Sequence, residues 1–199
     1  MAKRLFDIVF SLGWLLLFLP LMLLVALLVR LRLGSPVLFL QERPGLRGRP
    51  FRMVKFRTMT DERGPDGELL PDAQRLTSFG KFLRSTTLDE FPEMWNVFVG
   101  DMSVVGPRPL LMRYLRRYDA FQARRMEVKP GVTGWAQVNG RNAISWDEKF
   151  ALDVWYVDHR TFWLDMKIVV LTFFRVFART GINAGEGKTM EEFRGNAKN

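Results

Sequence analysis

Ile8–Val29 reads IVFSLGWLLLFLPLMLLVALLV, 22 residues without a charge. As one straight helix it is about 33 Å long, at a rise of ~1.5 Å per residue. That is enough to cross a hydrocarbon core ~30 Å thick. Its far end runs on as Arg30-Leu31-Arg32 with no small-x-small site, unlike a cleaved signal peptide. Pro20 stands near the middle. It has no N–H to give residue 16, and its ring clashes with that carbonyl, so the helix must kink or break at about Leu19-Pro20. One reading is a modest kink in a spanning helix. The other is a re-entrant helix-break-helix, with halves of about 17 Å that are too short to span. The flanks favour the second. Lys3-Arg4 precede the segment and Arg30/Arg32 follow it, which fits both ends staying on the cytoplasmic side.

The charge outside this segment points the same way. The net charge is +9, and residues 1–60 hold ten of the Lys/Arg but only two acids, Asp7 and Glu42. The other 139 residues are close to neutral, with twenty basic and nineteen acidic side chains. A nucleic-acid-binding protein more often spreads basic residues over its globular body. Here the excess flanks the apolar segment, so the expected partner is the anionic headgroup layer of a membrane, with no nucleic acid. There is no cysteine, which removes disulfides and thiolate chemistry, and His159 is the single histidine. Most hydrolase templates and multi-histidine metal sites therefore fall away, and carboxylate chemistry is the default.

The expected fold is α+β and mainly helical, with a small cytoplasmic globular core that contains short strands. The expected organisation is a membrane helix-break-helix over 1–33, a catalytic core over 34–180 and a polar C-terminal tail over 181–199. Val37–Leu40 and Phe51–Phe56 are strand candidates around the Arg43–Gly48 turn. Residues 61–72 are a turn-rich loop. Helices are expected around 78–84, 87–99, 109–126 and 145–158. Residues 127–142 are too rich in Gly and Pro for one. A second apolar stretch, Thr161–Arg179, carries five aromatics and three interior charges. It reads as an amphipathic helix at the membrane surface, although a soluble core helix explains it about as well.

Asp89-Glu90 in RSTTLDEFPEMWN is the leading chemical candidate. The plain alternative is that Thr87-x-x-Glu90 is a capping box at a helix start. Both readings can hold, since free N–H groups at a helix start suit phosphate chemistry. A carboxylate can attack phosphorus to give an acyl phosphate. When the target is an anionic diphosphate, the site needs a divalent metal and fixed cations. Lys55 and Arg57 in VKFRTM, Arg84, Arg108 between two prolines, and Arg141 are the candidates. Any one of them is more often a solvated surface charge, but the Pro and Gly neighbours of Arg108 and Arg141 argue against that. Gly131, Gly134 and Gly140 permit close backbone approach. Trp135 is a candidate for base stacking or for the core, and Gln137 and Asn139 for reading a uracil edge. Asp153 and Asp165 are candidate metal or sugar ligands, with an ordinary salt bridge the commoner role.

Three long stretches, VLFLQERPGLRGRPFRMVKFRTM, RSTTLDEFPEMWNVFVGDMSVVGPRP and KPGVTGWAQVNGRNAISW, resemble the bacterial sugar transferases, or monotopic phosphoglycosyl transferases. The likeness covers roughly residues 3–180 and is to the minimal members. It implies that Asp89 is the nucleophile and that Glu90 is general base or metal support, with Mg2+ beside Asp89. It implies Lys55, Arg84 and Arg108 on phosphate, and Arg141 with the loop before it on the nucleotide side. The implied reaction is ping-pong. A UDP-sugar gives UMP and an aspartyl-phosphosugar, which passes to polyprenyl (undecaprenyl) phosphate at the cytoplasmic face of the bacterial inner membrane. The chain has Leu19-Pro20 where minimal members have Ser-Pro at a re-entrant break. Likeness to them tilts the sugar toward an N-acetylated one. A non-catalytic membrane scaffold of the same fold and a phosphatase using the same aspartyl phosphate are the rival readings, and an intact Asp89-Glu90 argues against the scaffold.

Overall fold

The computed structural model describes residues 1–140, 144–177 and 192–195. Helix α1 runs over Ala2–Leu33 and continues through Pro20. The expected break is thus absent from the helical backbone. A mid-helix proline removes one hydrogen bond and crowds one carbonyl, and its neighbours can keep helical dihedrals.

The way α1 meets the body is set by two short buried stripes. Asp7 and Ser11 are buried near its start, and Val25, Val29 and Leu33 near its end, at helical spacing. Asp7 Oδ1 accepts from Ser103 Oγ and from the Val104 amide, both at 3.0 Å. Arg4 donates to the Val97 and Phe98 carbonyls at 2.7 Å, and Lys3 Nζ lies 2.6 Å from Asp165 Oδ2. The basic pair expected to face lipid headgroups is therefore spent on internal ties. At the other end Val25, Val29 and Leu33 pack with Phe56 and Leu83. Between the stripes Leu16, Leu17, Leu19, Leu23 and Leu24 are exposed. Both ends of the helix rest on the same body, and the outward face of its middle offers bare hydrocarbon.

After α1, strands β1 (Leu38–Pro44) and β2 (Pro50–Phe56) form the expected antiparallel hairpin, from Leu38 opposite Phe56 to Pro44 opposite Pro50. A loop with the short helix α2 (Asp72–Arg75) leads to α3 (Ser78–Ser85), a 3-10 turn at Leu88–Glu90 and α4 (Glu93–Val99). Buried Asn96 ties α4 to β2. Its Oδ1 accepts from the Val54 amide at 2.9 Å and its Nδ2 donates to the Arg52 carbonyl at 2.8 Å. Strand β3 (Ser103–Val105) follows.

The expected helix over 109–126 is not continuous. It is a 3-10 stretch over Met112–Arg117, helix α5 (Ala120–Ala123) and a second 3-10 turn over Arg124–Glu127. Leu110, Tyr114, Gln122 and Arg125 are buried in this stretch, and at about 100° per residue they would share one face of a regular helix, so burial alone does not break it. Residues 127–142, expected to be irregular, contain β4 (Gly131–Thr133), which pairs in parallel with β3, and α6 (Trp135–Asn139). Helix α7 (Trp146–His159) begins with a capping box between Ser145 and Glu148, and α8 (Phe162–Phe177) completes the order. Phe162, Trp163, Phe173 and Phe174 of α8 are exposed.

Candidate active site

Asp89 and Glu90 sit in the 3-10 turn between α3 and α4. Thr87, just before it, has φ 61°, a left-handed conformation that is costly for a β-branched residue. Its side chain makes no cap hydrogen bond. The capping-box reading fails, because Glu90 turns away from Thr87 to Lys55 and Arg108. The strained turn is what points two successive carboxylates out of the helix line.

Lys55 reaches the site from the end of β2. Its Nζ lies 2.8 Å from Glu90 Oε1 and 3.0 Å from Glu93 Oε1. Arg108 comes from the loop after β3 and is hydrogen-bonded to the same Glu90 oxygen. That loop is itself fixed. Arg125 Nη2 donates to the Arg108 carbonyl at 2.8 Å and to Asp153 at 2.7 Å. Arg84, on α3, donates to Thr58 Oγ1 at 3.1 Å, and its charge acts on Asp89. So Lys55, Arg84, Asp89, Glu90 and Arg108 come together, as the sequence led one to expect.

The two carboxylates behave oppositely. Burial and the neighbouring Glu90 charge push Asp89 up to about 6. Burial also works to raise Glu90, but the charges and hydrogen bonds of Arg108 and Lys55 outweigh it and hold Glu90 at about 2. Asp89 accepts no side-chain hydrogen bond among the described residues. It is a carboxylate with its lone pairs free, beside a neighbour whose charge is neutralised.

Two further groups belong here that the sequence analysis passed over. Glu93, 1% exposed, is raised to about 7 by burial and by Glu90, and neither of its oxygens has a well-directed hydrogen bond. It follows Asp89 by four residues, the interval that puts two side chains on one helical face, and that interval was the available signal. Arg43, on β1, is lowered by burial and by the nearby Arg108 charge.

The remaining candidates lie elsewhere. Asp153 is 2% exposed and paired with Arg125, so it acts through the Arg108 backbone and not on a ligand. Asp165 is spent on Lys3 and on the Tyr156 hydroxyl at 2.6 Å. Trp135 stacks on Trp155, with centroids 4.9 Å apart, and Lys167 lies 5.7 Å over its ring. Gln137 and Asn139 are on helix α6. Residues two apart there point about 200° from one another, so they do not share a face. Asn139 bonds its own helix at the Trp135 carbonyl, whereas the Gln137 amide is buried without a partner among the described residues. Gly131 and Gly134 are filled from the protein side. A Cβ on either would fall 2.1 Å from the Gly106 backbone, so these glycines let two chain segments touch. Arg141 lies outside the described residues.

Among the described residues no group of three or more His, Asp or Glu could cage a metal. Mg2+ is commonly held by one or two carboxylates together with substrate phosphates. The free oxygens of Asp89 fit that kind of shared coordination and no other.

The site also abuts the apolar helix. The Phe91 ring lies 5.1 Å from Trp14 and 5.3 Å from Phe18 of α1. The nucleophile candidate is therefore two residues from a contact with the start of the exposed leucines.

Comparisons with known proteins place the chain in a family. A family model described as bacterial sugar transferase matches residues 1–179. The uncharacterized sugar transferase EpsL of Bacillus subtilis strain 168 is 55% identical over 97% of this chain and 96% of its own length. The UDP-glucose:undecaprenyl-phosphate glucose-1-phosphate transferase of Klebsiella pneumoniae is 40% identical over 88% of this chain. That of Caulobacter vibrioides is 39% identical over 86%. This chain spans 40% of the Klebsiella protein and 68% of the Caulobacter one.

Proposed function

Because the chain belongs to the bacterial sugar transferase family, we propose that it moves a phosphosugar from a UDP-sugar to undecaprenyl phosphate through a covalent intermediate on Asp89. The observation that carries this reading is the unbonded Asp89 carboxylate set among Lys55, Arg84 and Arg108. An Asp89 oxygen attacks the phosphorus next to the sugar, the bond between the two phosphorus atoms' bridging oxygen and that phosphorus breaks, and UMP leaves. An oxygen of undecaprenyl phosphate then attacks the acyl phosphate, which frees the carboxylate and yields the lipid diphosphate-sugar.

At neutral pH most of Asp89 is ionised, since about 6 lies below 7. Glu90 is a poor proton acceptor at about 2, so it serves to aim Lys55 and Arg108 at the phosphoryl oxygens. Asp89 together with the substrate phosphates would hold Mg2+, which would supply charge neutralisation at the phosphoryl group.

The membrane reading follows from α1. One face packs along the body from end to end while the opposite face is bare, and a helix that crossed the bilayer would carry one end away from that body. This favours a monotopic placement in the inner membrane, with α1 along one leaflet and Asp89 at the cytoplasmic headgroup plane, where the acceptor phosphate lies. The exposed aromatics of α8 fit the same surface.

The test is UMP release from a panel of UDP-glucose, UDP-galactose and UDP-N-acetylhexosamines, with undecaprenyl phosphate. Asp89→Asn should abolish release while membrane association stays normal. Release of free sugar phosphate in place of lipid product would favour a phosphatase.

A further inference from the structure

Part of the C-terminal region is packed against the body. In Glu192–Gly195 the Phe193 ring is 3% exposed, with centroids 5.0 Å from Phe150, 5.4 Å from Trp146, 5.7 Å from Tyr114 and 6.0 Å from Tyr118. Its backbone is anchored as well. The Phe193 amide donates to the Tyr114 hydroxyl at 3.3 Å, and Arg117 donates to the Phe193 carbonyl. Glu192 takes Arg113 at 3.0 Å and Arg117 at 2.8 Å.

The same rings enclose Arg125. Its guanidinium lies 5.6 Å over Phe150 and 5.8 Å over Tyr118, and its Nη1 donates to the Tyr118 hydroxyl at 3.1 Å. Arg125 is 2% exposed and fixes the Arg108 carbonyl. Phe193 is thus the outer wall of a cage whose occupant sets the backbone of the Arg108 loop. We infer that Phe193 is a positioning residue for Arg108, acting through Tyr118 and Arg125, and that the aromatic cage is a docking site for this chain's own C-terminal segment. Without the wall, water reaches the cage, the Arg125 hydrogen bonds weaken in the higher local dielectric, and the Arg108 loop loosens. The inference rests on Arg108 holding phosphate in the proposed reaction.

The experiment compares the full chain in lipid nanodiscs with a chain ending at Glu191, with and without a peptide of residues 188–199. Two readouts are taken: the single-turnover rate of UMP release and backbone hydrogen exchange over 110–118. Truncation is expected to slow UMP release about tenfold, the scale of one charge-assisted hydrogen bond, and to speed exchange in that segment. The peptide should restore both, and a peptide with Phe193→Ala neither. In the full chain Phe193→Trp should keep activity that Phe193→Ala loses. Unchanged exchange on truncation, a rate loss the peptide fails to repair, or equal repair by the two peptides would overturn the inference. If the full chain releases no UMP, the proposed reaction fails, and the exchange arm still reads the coupling.

Discussion

Glu90 receives both Lys55 and Arg108 on one carboxylate oxygen, while Asp89, its neighbour in the chain, accepts no side-chain hydrogen bond from any described residue. Two adjacent acids are thereby sorted into different jobs by their surroundings. One is pinned and held in its charged form by two cations. The other is left free to react, and burial makes its ionisation sensitive to mildly acidic pH.

The pH dependence of UMP formation follows from that sorting. Asp89 is raised to about 6, and the ionised form is the one that attacks. Activity is therefore present above about 6 and is lost as pH falls through it, by about tenfold per unit well below it. Single-turnover UMP release between pH 5 and 8 checks this, and a limb near the ordinary aspartate value would contradict it. Glu93→Gln should keep the same limb, which separates it from the nearby titration of Glu93.

Arg108 is paired directly with Glu90 in the site, so the two ways of altering Arg108 should differ. Arg108→Lys keeps a charge but loses the planar fork, and should slow UMP release roughly tenfold. Arg108→Ala removes the charge from the phosphoryl group and leaves Glu90 with Lys55 alone. It should cost about 100-fold or more, on the order of 3 kcal/mol. Equal rates for the two variants would show that the retained charge does not help, and a parent-like rate for Arg108→Lys would show that the fork does not matter.

Glu93 makes a stability prediction of definite sign. Its folded-state value, about 7, lies above the ordinary 4.5. Its folded form thus holds a proton more tightly than the unfolded chain does. The stability it contributes is fully present below about 4.5 and is lost as pH rises through about 7. Glu93→Gln removes the titration. The variant should gain on the parent chain as pH rises from 5 to 8.5, by up to about 3 kcal/mol. Thermal unfolding in nanodiscs across that range reads the gap, and a gap that narrows with pH would contradict the account.

The placement of α1 can be read with single cysteines, since the chain has none of its own. Ala2→Cys and Ser35→Cys, at the two ends, should both react with an impermeant maleimide in inside-out vesicles and neither in right-side-out vesicles. Labelling of the two from opposite sides would mean that α1 spans the bilayer.

Much of this was legible in local sequence, and the failures share a cause. The apolar run, the hairpin around Arg43–Gly48 and helices α3, α4, α7 and α8 are written in short-range pattern. The Asp89-Glu90 pair and its cations could be named because Pro and Gly beside Arg108, and a helix start beside Asp89, are local signs too. Asp153 and Asp165 take the salt-bridge role and not the ligand role, with partners, Arg125 and Lys3, that are 28 and 162 residues away and so have no local sign. The 3-residue pairing of β3 with β4 depends on the close approach of Gly106 to Gly131, which no local period marks. The segment after Arg108 has helical composition but is broken by contacts with Arg43 and Phe193, which come from distant parts of the chain. The spacing from Thr87 to Glu90 fits a cap, whereas the site uses Glu90 against Lys55 and Arg108.

The most direct measurement is the intact mass of the protein mixed with a UDP-sugar donor and no acceptor. The account predicts a gain of one phosphosugar, mapped to the peptide that holds Asp89, removed on adding undecaprenyl phosphate and absent in Asp89→Asn. UMP release that requires the lipid acceptor from the start, with no adduct at any time, would contradict it.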